Sequence, residues 1–202
     1  MTDVLLAHSY YLNQDPKQLE KMRPYPPLAT LYAAAALRRA GFRVALYDAM
    51  LADGEHRFLE ALRFHQPRFV VLYEDSFNFL IKMCLLRMRE AALRAIRAAQ
   101  EAGAITLASG PDVTDHPEAY LAAGLHCALL GEADHTVVEA LESLDGRRAT
   151  NLDTVPGLAL PRDGTLHRTP PRLPERQPDV FPLPAWDLVD PEPYRAAWTK
   201  AH

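Results

Sequence analysis

The sequence predicts an α/β fold organised on an open parallel sheet, and three observations predict it. Short apolar runs and longer segments of helical periodicity alternate strictly from Val4 to Leu144. The run Arg68-Phe69-Val70-Val71-Leu72-Tyr73 is almost continuously apolar, as expected of a central parallel strand covered on both faces. Each apolar run ends in a polar or glycine-bearing loop, and such loops are where an open α/β sheet binds its ligands. A chain of 202 residues has room for one such domain of roughly 150 residues plus an appendage.

Val4-Leu5-Leu6-Ala7 is the first strand, and the polar stretch from Asn13 to Arg23 makes a long first loop, a feature that in compact domains is commonly functional or mobile. Leu28-Ala29-Thr30-Leu31-Tyr32-Ala33-Ala34-Ala35-Ala36-Leu37 is a strong helix former, with proline at its start and Gly41 just past its end. Phe42-Arg43-Val44-Ala45-Leu46-Tyr47-Asp48 alternates and contains β-branched and aromatic residues, which makes it the second strand. Glu55 to His65 carries Phe58, Leu59 and Leu62 at helical spacing and stops at Pro67. After the third strand a long helical pattern runs through Met83, Leu86, Ala91, Ile96 and Ala99 to a left-handed cap at Gly103. Ile105-Thr106-Leu107-Ala108 is the fourth strand, followed by a tight loop and a helix from Pro117 to near Gly124. Leu125-His126-Cys127-Ala128-Leu129-Leu130 is the fifth strand, and Thr136 to Leu144 the fifth helix.

Five βα units with right-handed crossovers predict a flavodoxin-like (Rossmann-like) five-stranded parallel sheet in the order 2-1-3-4-5, with helices on both faces. This domain is expected over residues 1–148. From 149 to 202 the composition changes. Asp163-Gly164, between Pro156-Gly157-Leu158-Ala159-Leu160 and Thr165-Leu166-His167-Arg168, is a hairpin signal. The proline-dense stretch from Pro170 to Pro193 reads as an extended arm or interdomain linker instead of a core element.

Composition excludes several functions. A net charge of −4, with arginines scattered along helices, gives no basic footprint for nucleic acid. No apolar run approaches membrane-spanning length, and the amino terminus runs straight into a strand without a leader pattern, so the cytoplasm is the expected compartment. Two cysteines, Cys84 and Cys127, are too few for a disulfide framework and too far apart for a metal knuckle; both are expected as buried thiols. The histidines form no His-x-x-His or His-Glu-x-x-His pattern, and His116, His126 and His135 read as surface or loop residues. The first loop has no glycine with which to build a dinucleotide-binding turn, and without that turn Asp48 reads as a loop cap or a solvated residue. A P-loop and a Gly-x-Ser-x-Gly elbow are also missing. Ser109-Gly110-Pro111-Asp112-Val113-Thr114 reads as a pocket floor, because a glycine lets backbone approach a ligand that a Cβ would push away; an ordinary βα turn is the alternative.

Those loops also carry a resemblance. Tyr25-Pro26-Pro27-Leu28-Ala29, Ser109-Gly110-Pro111-Asp112-Val113-Thr114 and Gly131-Glu132-Ala133-Asp134 resemble the signature loops of the N-terminal cobalamin (B12)-binding domain of B12-dependent radical SAM enzymes. Phe181-Pro182-Leu183-Pro184-Ala185-Trp186-Asp187-Leu188 resembles the linker that precedes the iron–sulfur domain in that family. The likeness covers essentially the whole chain and rests on the order and spacing of the motifs. Ser109 stands where the family usually has a glycine, Asp112 where it often has histidine, and Ala133-Asp134 where Gly-Glu is common.

The resemblance implies a domain that binds base-off cobalamin at the carboxyl edge of the sheet, within a methyltransferase-like enzyme. It implies cofactor contacts from His8, Ser9 and Tyr10, from Tyr25, Pro26 and Pro27, and from Glu74, Asp75 and Ser76. Further contacts are implied for Ser109, Gly110, Pro111, Asp112, Val113 and Thr114, and for Gly131, Glu132 and Ala133. No Asp-x-His-x-x-Gly motif offers a cobalt ligand; His8 is the histidine close enough in sequence to consider. The family's [4Fe–4S] cluster needs a Cys-x-x-x-Cys-x-x-Cys loop, with S-adenosylmethionine completing its coordination. With two separated cysteines this chain is expected to leave both, and catalysis, to a radical SAM domain beyond His202. A stand-alone cobalamin carrier, a regulatory or interaction domain with an empty pocket, and a flavin- or nucleotide-binding protein of the same fold are the alternatives.

Overall fold

A computed structural model describes residues 2–74 and 82–202, with the backbone alone for 82–84. At its centre β1 (Val4–Ala7), β2 (Val44–Tyr47), β3 (Phe69–Tyr73), β4 (Ile105–Ser109) and β5 (Cys127–Leu129) run parallel in the order β2-β1-β3-β4-β5. That is the order expected from the alternation of strands and helices.

The two faces of the sheet separate by residue parity. Val4 and Leu6 of β1, with Phe69 and Val71 of β3, turn toward α2 (Leu28–Arg39) and α7 (Asp134–Asp145). Leu5 and Ala7, with Val70 and Leu72, turn toward α3 (His56–His65) and α4 (Lys82–Glu101). Every residue of β1 and β3 is buried, which is why neither strand shows the polar alternation of a half-exposed one. A short α1 (Pro16–Lys21) lies within the long first loop, with the Asp15 side chain accepting from the Gln18 amide at its start. The loop after β4 coils into one turn, α5 (Pro111–Asp115), before α6 (Pro117–Ala122). At the end of α3, Gln66 takes a left-handed φ of 42°. Pro67 disfavours the right-handed helical region for the residue before it.

The hairpin corrects the expected strand count. β6 (Leu158–Arg162) and β7 (Thr165–Arg168) are joined by Asp163 and Gly164, at φ of 49° and 76°. The hairpin does not stand beside the sheet: β6 pairs antiparallel with β5 through Ala128–Ala159 and Leu129–Leu158, giving seven strands. The physical reason is the outer edge of β5, whose backbone groups need partners; the fully buried Leu158 and Ala159 of β6 supply them.

The arm also differs from an extended spacer. It runs back over α7 and α2, with Arg172 Nε donating to Thr136 Oγ1 at 2.7 Å and Arg38 paired to Asp187 at 2.8 Å. Ala185 is buried with the α2–α7 core and donates its amide to the Leu31 carbonyl at 3.1 Å. The chain then forms α8 (Glu192–Ala201) against the first loop, at the carboxyl edge of the sheet.

Candidate cofactor-binding site

The parallel strands deliver their following loops to one edge, and hydrogen bonds stitch those loops together. After β1 come His8, Ser9 and Tyr10, all buried. The Ser9 amide donates to both oxygens of the Glu74 carboxylate at 3.0 Å, and its hydroxyl donates to the Met88 carbonyl in α4 at 3.0 Å. Beyond β3, the Glu74 amide donates to the Ser109 carbonyl at 2.9 Å. Thr114 Oγ1 donates to the Gly110 carbonyl at 3.0 Å and accepts from the Gly131 amide at 3.1 Å, which joins the loops after β4 and β5. Thr30 Oγ1 donates to the Tyr73 carbonyl at 3.1 Å, bringing the start of α2 to the same edge.

His8 faces inward. Its Nε2 donates to Asp48 Oδ1 at 2.9 Å, since a carboxylate only accepts, and lies 3.2 Å from the Ala49 amide; its Nδ1 lies 3.3 Å from the Tyr10 amide. Asp48 also accepts from the Met50 amide at 3.0 Å and from the Tyr194 hydroxyl of α8. Burial pushes the Asp48 carboxyl up, but the hydrogen bonds from His8, Tyr194 and Met50 hold it below the usual carboxylate value. It caps a loop, as expected, but it is a junction between three segments and not a solvated residue.

Gly110 sits where no other residue fits. Its φ is 143°, and a Cβ there would lie 2.8 Å from Glu74 Cβ and 3.0 Å from the Glu74 carbonyl oxygen. The glycine therefore admits a neighbouring strand end; the close approach is to the protein's own backbone. Asp112 turns beneath the loop, where Arg89 of α4 grips both carboxylate oxygens, with Nε at 2.7 Å from Oδ2, and Tyr120 donates its hydroxyl at 2.7 Å. Burial raises the Asp112 carboxyl, but these hydrogen bonds outweigh it and hold the group below its usual value. Val113 is fully buried in the core on the α3–α4 side.

Of the residues the sequence singled out, His8, Ser9, Tyr10, Glu74, Ser109, Gly110, Thr114 and Gly131 meet at this edge. Pro111 and Glu132 are exposed beside it, whereas Ala133 packs into the α2–α7 core. Pro27 is buried at the start of α2, with Pro26 half-buried and Tyr25 exposed. Asp75 and Ser76 lie outside the described residues, as does the Cys84 side chain. Cys127 is a buried thiol, pushed up to about 12 by burial. Arg89 and Tyr194 escaped sequence reading because each is a single polar residue on an otherwise ordinary helix. Asp134 carried a usable signal in its place beside Gly131-Glu132-Ala133; burial holds its carboxyl above the usual value despite a hydrogen bond with Tyr73.

Among the described residues no helix is long and apolar enough to cross a membrane, and no group of three or more His, Cys, Asp or Glu could hold a metal ion. At Gly131 a Cβ would meet nothing within 4 Å, so the loop after β5 faces open space.

Solved structures share this fold. A cobalamin-dependent S-adenosylmethionine radical enzyme, OxsB, with aqua-cobalamin and S-adenosylmethionine bound, aligns with a TM-score of 0.72 at 17% identity, covering 100% of this chain and 25% of that one. The radical S-adenosylmethionine methyltransferase TsrM from Kitasatospora setae, with cobalamin and a [4Fe–4S] cluster bound, aligns at 0.67 and 18% identity, covering 86% of this chain and 30% of that one. The chain thus spans less than a third of the length of either. No curated protein matches it. The family model described as the B12 binding domain matches residues 23–141, well over half of the chain and most of the stitched edge. The chain belongs to the B12-binding domain family.

Proposed function

We propose that this chain binds cobalamin across the loops at the carboxyl edge and is the cofactor-binding portion of a B12-dependent radical SAM enzyme of the methyltransferase kind. In this reading residues 1–148 hold the cofactor. Residues 149–202, whose hairpin completes the sheet, lead toward a radical SAM domain. The observation that carries the reading is that the family match spans the ends of β3, β4 and β5, where hydrogen bonds join Glu74 to the end of β4 and the loop after β4 to that after β5. The loop after β5 leaves room for a large ligand, since a Cβ at Gly131 would meet nothing within 4 Å.

When bound, cobalamin supplies the cobalt chemistry of methyl transfer, and the protein's share is to orient the cofactor and tune its surroundings. His8 keeps its proton on Nε2 toward Asp48 and its Nδ1 toward the Tyr10 amide, so both ring nitrogens are engaged inside the protein. Base-off cobalamin without a histidine on cobalt is the expected form. Equilibrium dialysis should show retention of cobalamin and not of FMN, and EPR of the Co(II) form should show no nitrogen hyperfine splitting. Splitting that disappears in His8→Ala would overturn the ligand assignment, whereas retention of FMN alone would overturn the cofactor.

The cluster chemistry belongs elsewhere in this reading. Cys84 and Cys127 cannot supply three clustered thiolates. Anaerobic reconstitution of this chain is therefore expected to give no stoichiometric [4Fe–4S] cluster and no cleavage of S-adenosylmethionine. Formation of 5′-deoxyadenosine above a no-protein control would refute that division of labour.

A further inference from the structure

We infer that Asp48 and Tyr194 are positioning residues that clasp α8 to the cofactor edge, so that docking of this C-terminal helix and binding of cobalamin strengthen one another. The inference rests on the cobalamin reading and adds a coupling to it. The Tyr194 hydroxyl donates to the carboxylate of Asp48, whose other oxygen accepts from His8 Nε2 at 2.9 Å. One residue further, the Ser9 amide holds Glu74, and the Glu74 backbone is what Gly110 packs against. A continuous chain of hydrogen bonds and contacts thus runs from α8 through the ends of β2, β1 and β3 to the loop after β4.

The way α8 is held makes its docking easy to bias. No residue of the helix is fully buried. The ring of Tyr194 packs on the buried cluster of Tyr10, Leu12, Met50 and Met88. Toward the helix's other end, Arg23 lies 5.9 Å from the Trp198 ring, and His202 Nε2 donates to the Lys21 carbonyl at 3.0 Å. Between these attachments is a cleft of about 520 Å³, lined on one side by Leu12, Met22, Met50 and Leu51 and on the other by Ala197 and Ala201. The helix bridges the surface instead of filling it. With no fully buried residue and attachments only toward its two ends, the helix is open to local release, so the docked helix and a released segment are two accessible states. A ligand that fixes His8 and Ser9 in their present arrangement favours the docked state, because Asp48 is oriented by His8. By linkage, docking must favour the ligand by the same factor.

Amide hydrogen exchange over residues 192–202 and cobalamin affinity, measured on the whole chain for wild type and Tyr194→Phe, test this. The phenylalanine keeps the ring packing and removes the hydroxyl, and because α8 has no fully buried residue the sheet should melt as in the wild type. Losing a hydrogen bond to a charged partner should speed exchange of 192–202 in the apo chain about tenfold or more. In the wild type, cobalamin should slow that exchange. In Tyr194→Phe, cobalamin should bind roughly 5-fold more weakly or worse, the lower end of typical coupling. Unchanged apo exchange in Tyr194→Phe would overturn the clasp. Saturating cobalamin that leaves wild-type exchange of 192–202 untouched, or Tyr194→Phe with full cobalamin affinity, would overturn the coupling. A wild-type chain that binds no cobalamin would overturn the reading beneath it, and the apo exchange would still report on the clasp separately.

Discussion

Gly110→Leu is expected to lower the melting temperature of the cobalamin-free protein by roughly 4–24 °C and to weaken cobalamin binding with it. The reason lies in the two contacts a Cβ would make, 2.8 Å to Glu74 Cβ and 3.0 Å to the Glu74 carbonyl oxygen. A flexible side chain could yield; the end of β3 cannot, because the Glu74 amide is bonded to Ser109 and its carboxylate to the Ser9 amide. A φ of 143° adds strain for any residue with a side chain. Overpacking costs about 1–3 kcal/mol and a glycine-only backbone conformation of order 1–3 kcal/mol, so the sum is about 2–6 kcal/mol. Most of this arises at the Cβ, and Gly110→Ala should therefore melt nearly as early as Gly110→Leu. If both variants melt with the wild type while affinity falls, the glycine makes room for the ligand and not for Glu74. Early melting of Leu with wild-type melting of Ala would remove the Cβ contact as the cause.

How legible the molecule is from sequence depends on whether each contact leaves a periodic trace. β3 is legible because burial on both faces forces Phe69 to Tyr73 to be apolar throughout, and α2 because alanine-rich helix formers run from proline to Gly41. The order of the parallel strands follows from crossover rules. The hairpin was legible from Asp163-Gly164, but its pairing partner was not, since β6 would look the same against any open edge. The arm left less still. Ala185 is a small residue in a proline-rich stretch, and nothing nearby says that it enters the core. The site divides in the same way. Loops at strand ends locate the edge, so His8, Glu74, Ser109 and Gly110 could be found. The bonds that organise it join residues far apart in the chain, such as Ser9 to Glu74 and Asp48 to Tyr194, and single polar residues carry no period. For Gly110 the residue was legible and the reason was not: the sequence suggested room for a ligand, and the structure shows room for a neighbouring strand.

Asp112→Ala is expected to cost about 2–4 kcal/mol, a fall of roughly 5–15 °C in melting temperature, because the carboxylate is the shared partner of two groups that cannot reach water fully. Tyr120 is 1% exposed and the Arg89 side chain 20%, so removing Asp112 takes from a buried hydroxyl and a partly buried guanidinium the carboxylate they share. The loss should fall on the fold first: α5 and the loop after β4 are held down on α4 by this pair. Acid titration supplies the independent check. The Asp112 carboxyl has a folded-state pKa below its unfolded value, since the Arg89 and Tyr120 hydrogen bonds outweigh burial. Its stabilisation is therefore complete above the unfolded value near 4 and is lost as pH falls through the folded value. The wild type should lose stability as the pH falls below about 5, and Asp112→Ala, which has no such proton to bind, should lose less over the same interval. Melting curves of the two proteins that stay parallel across that range would show that the ion pair contributes nothing net. Curves that converge on acidification would assign to Arg89 and Asp112 the task of holding the floor of the cofactor edge in place.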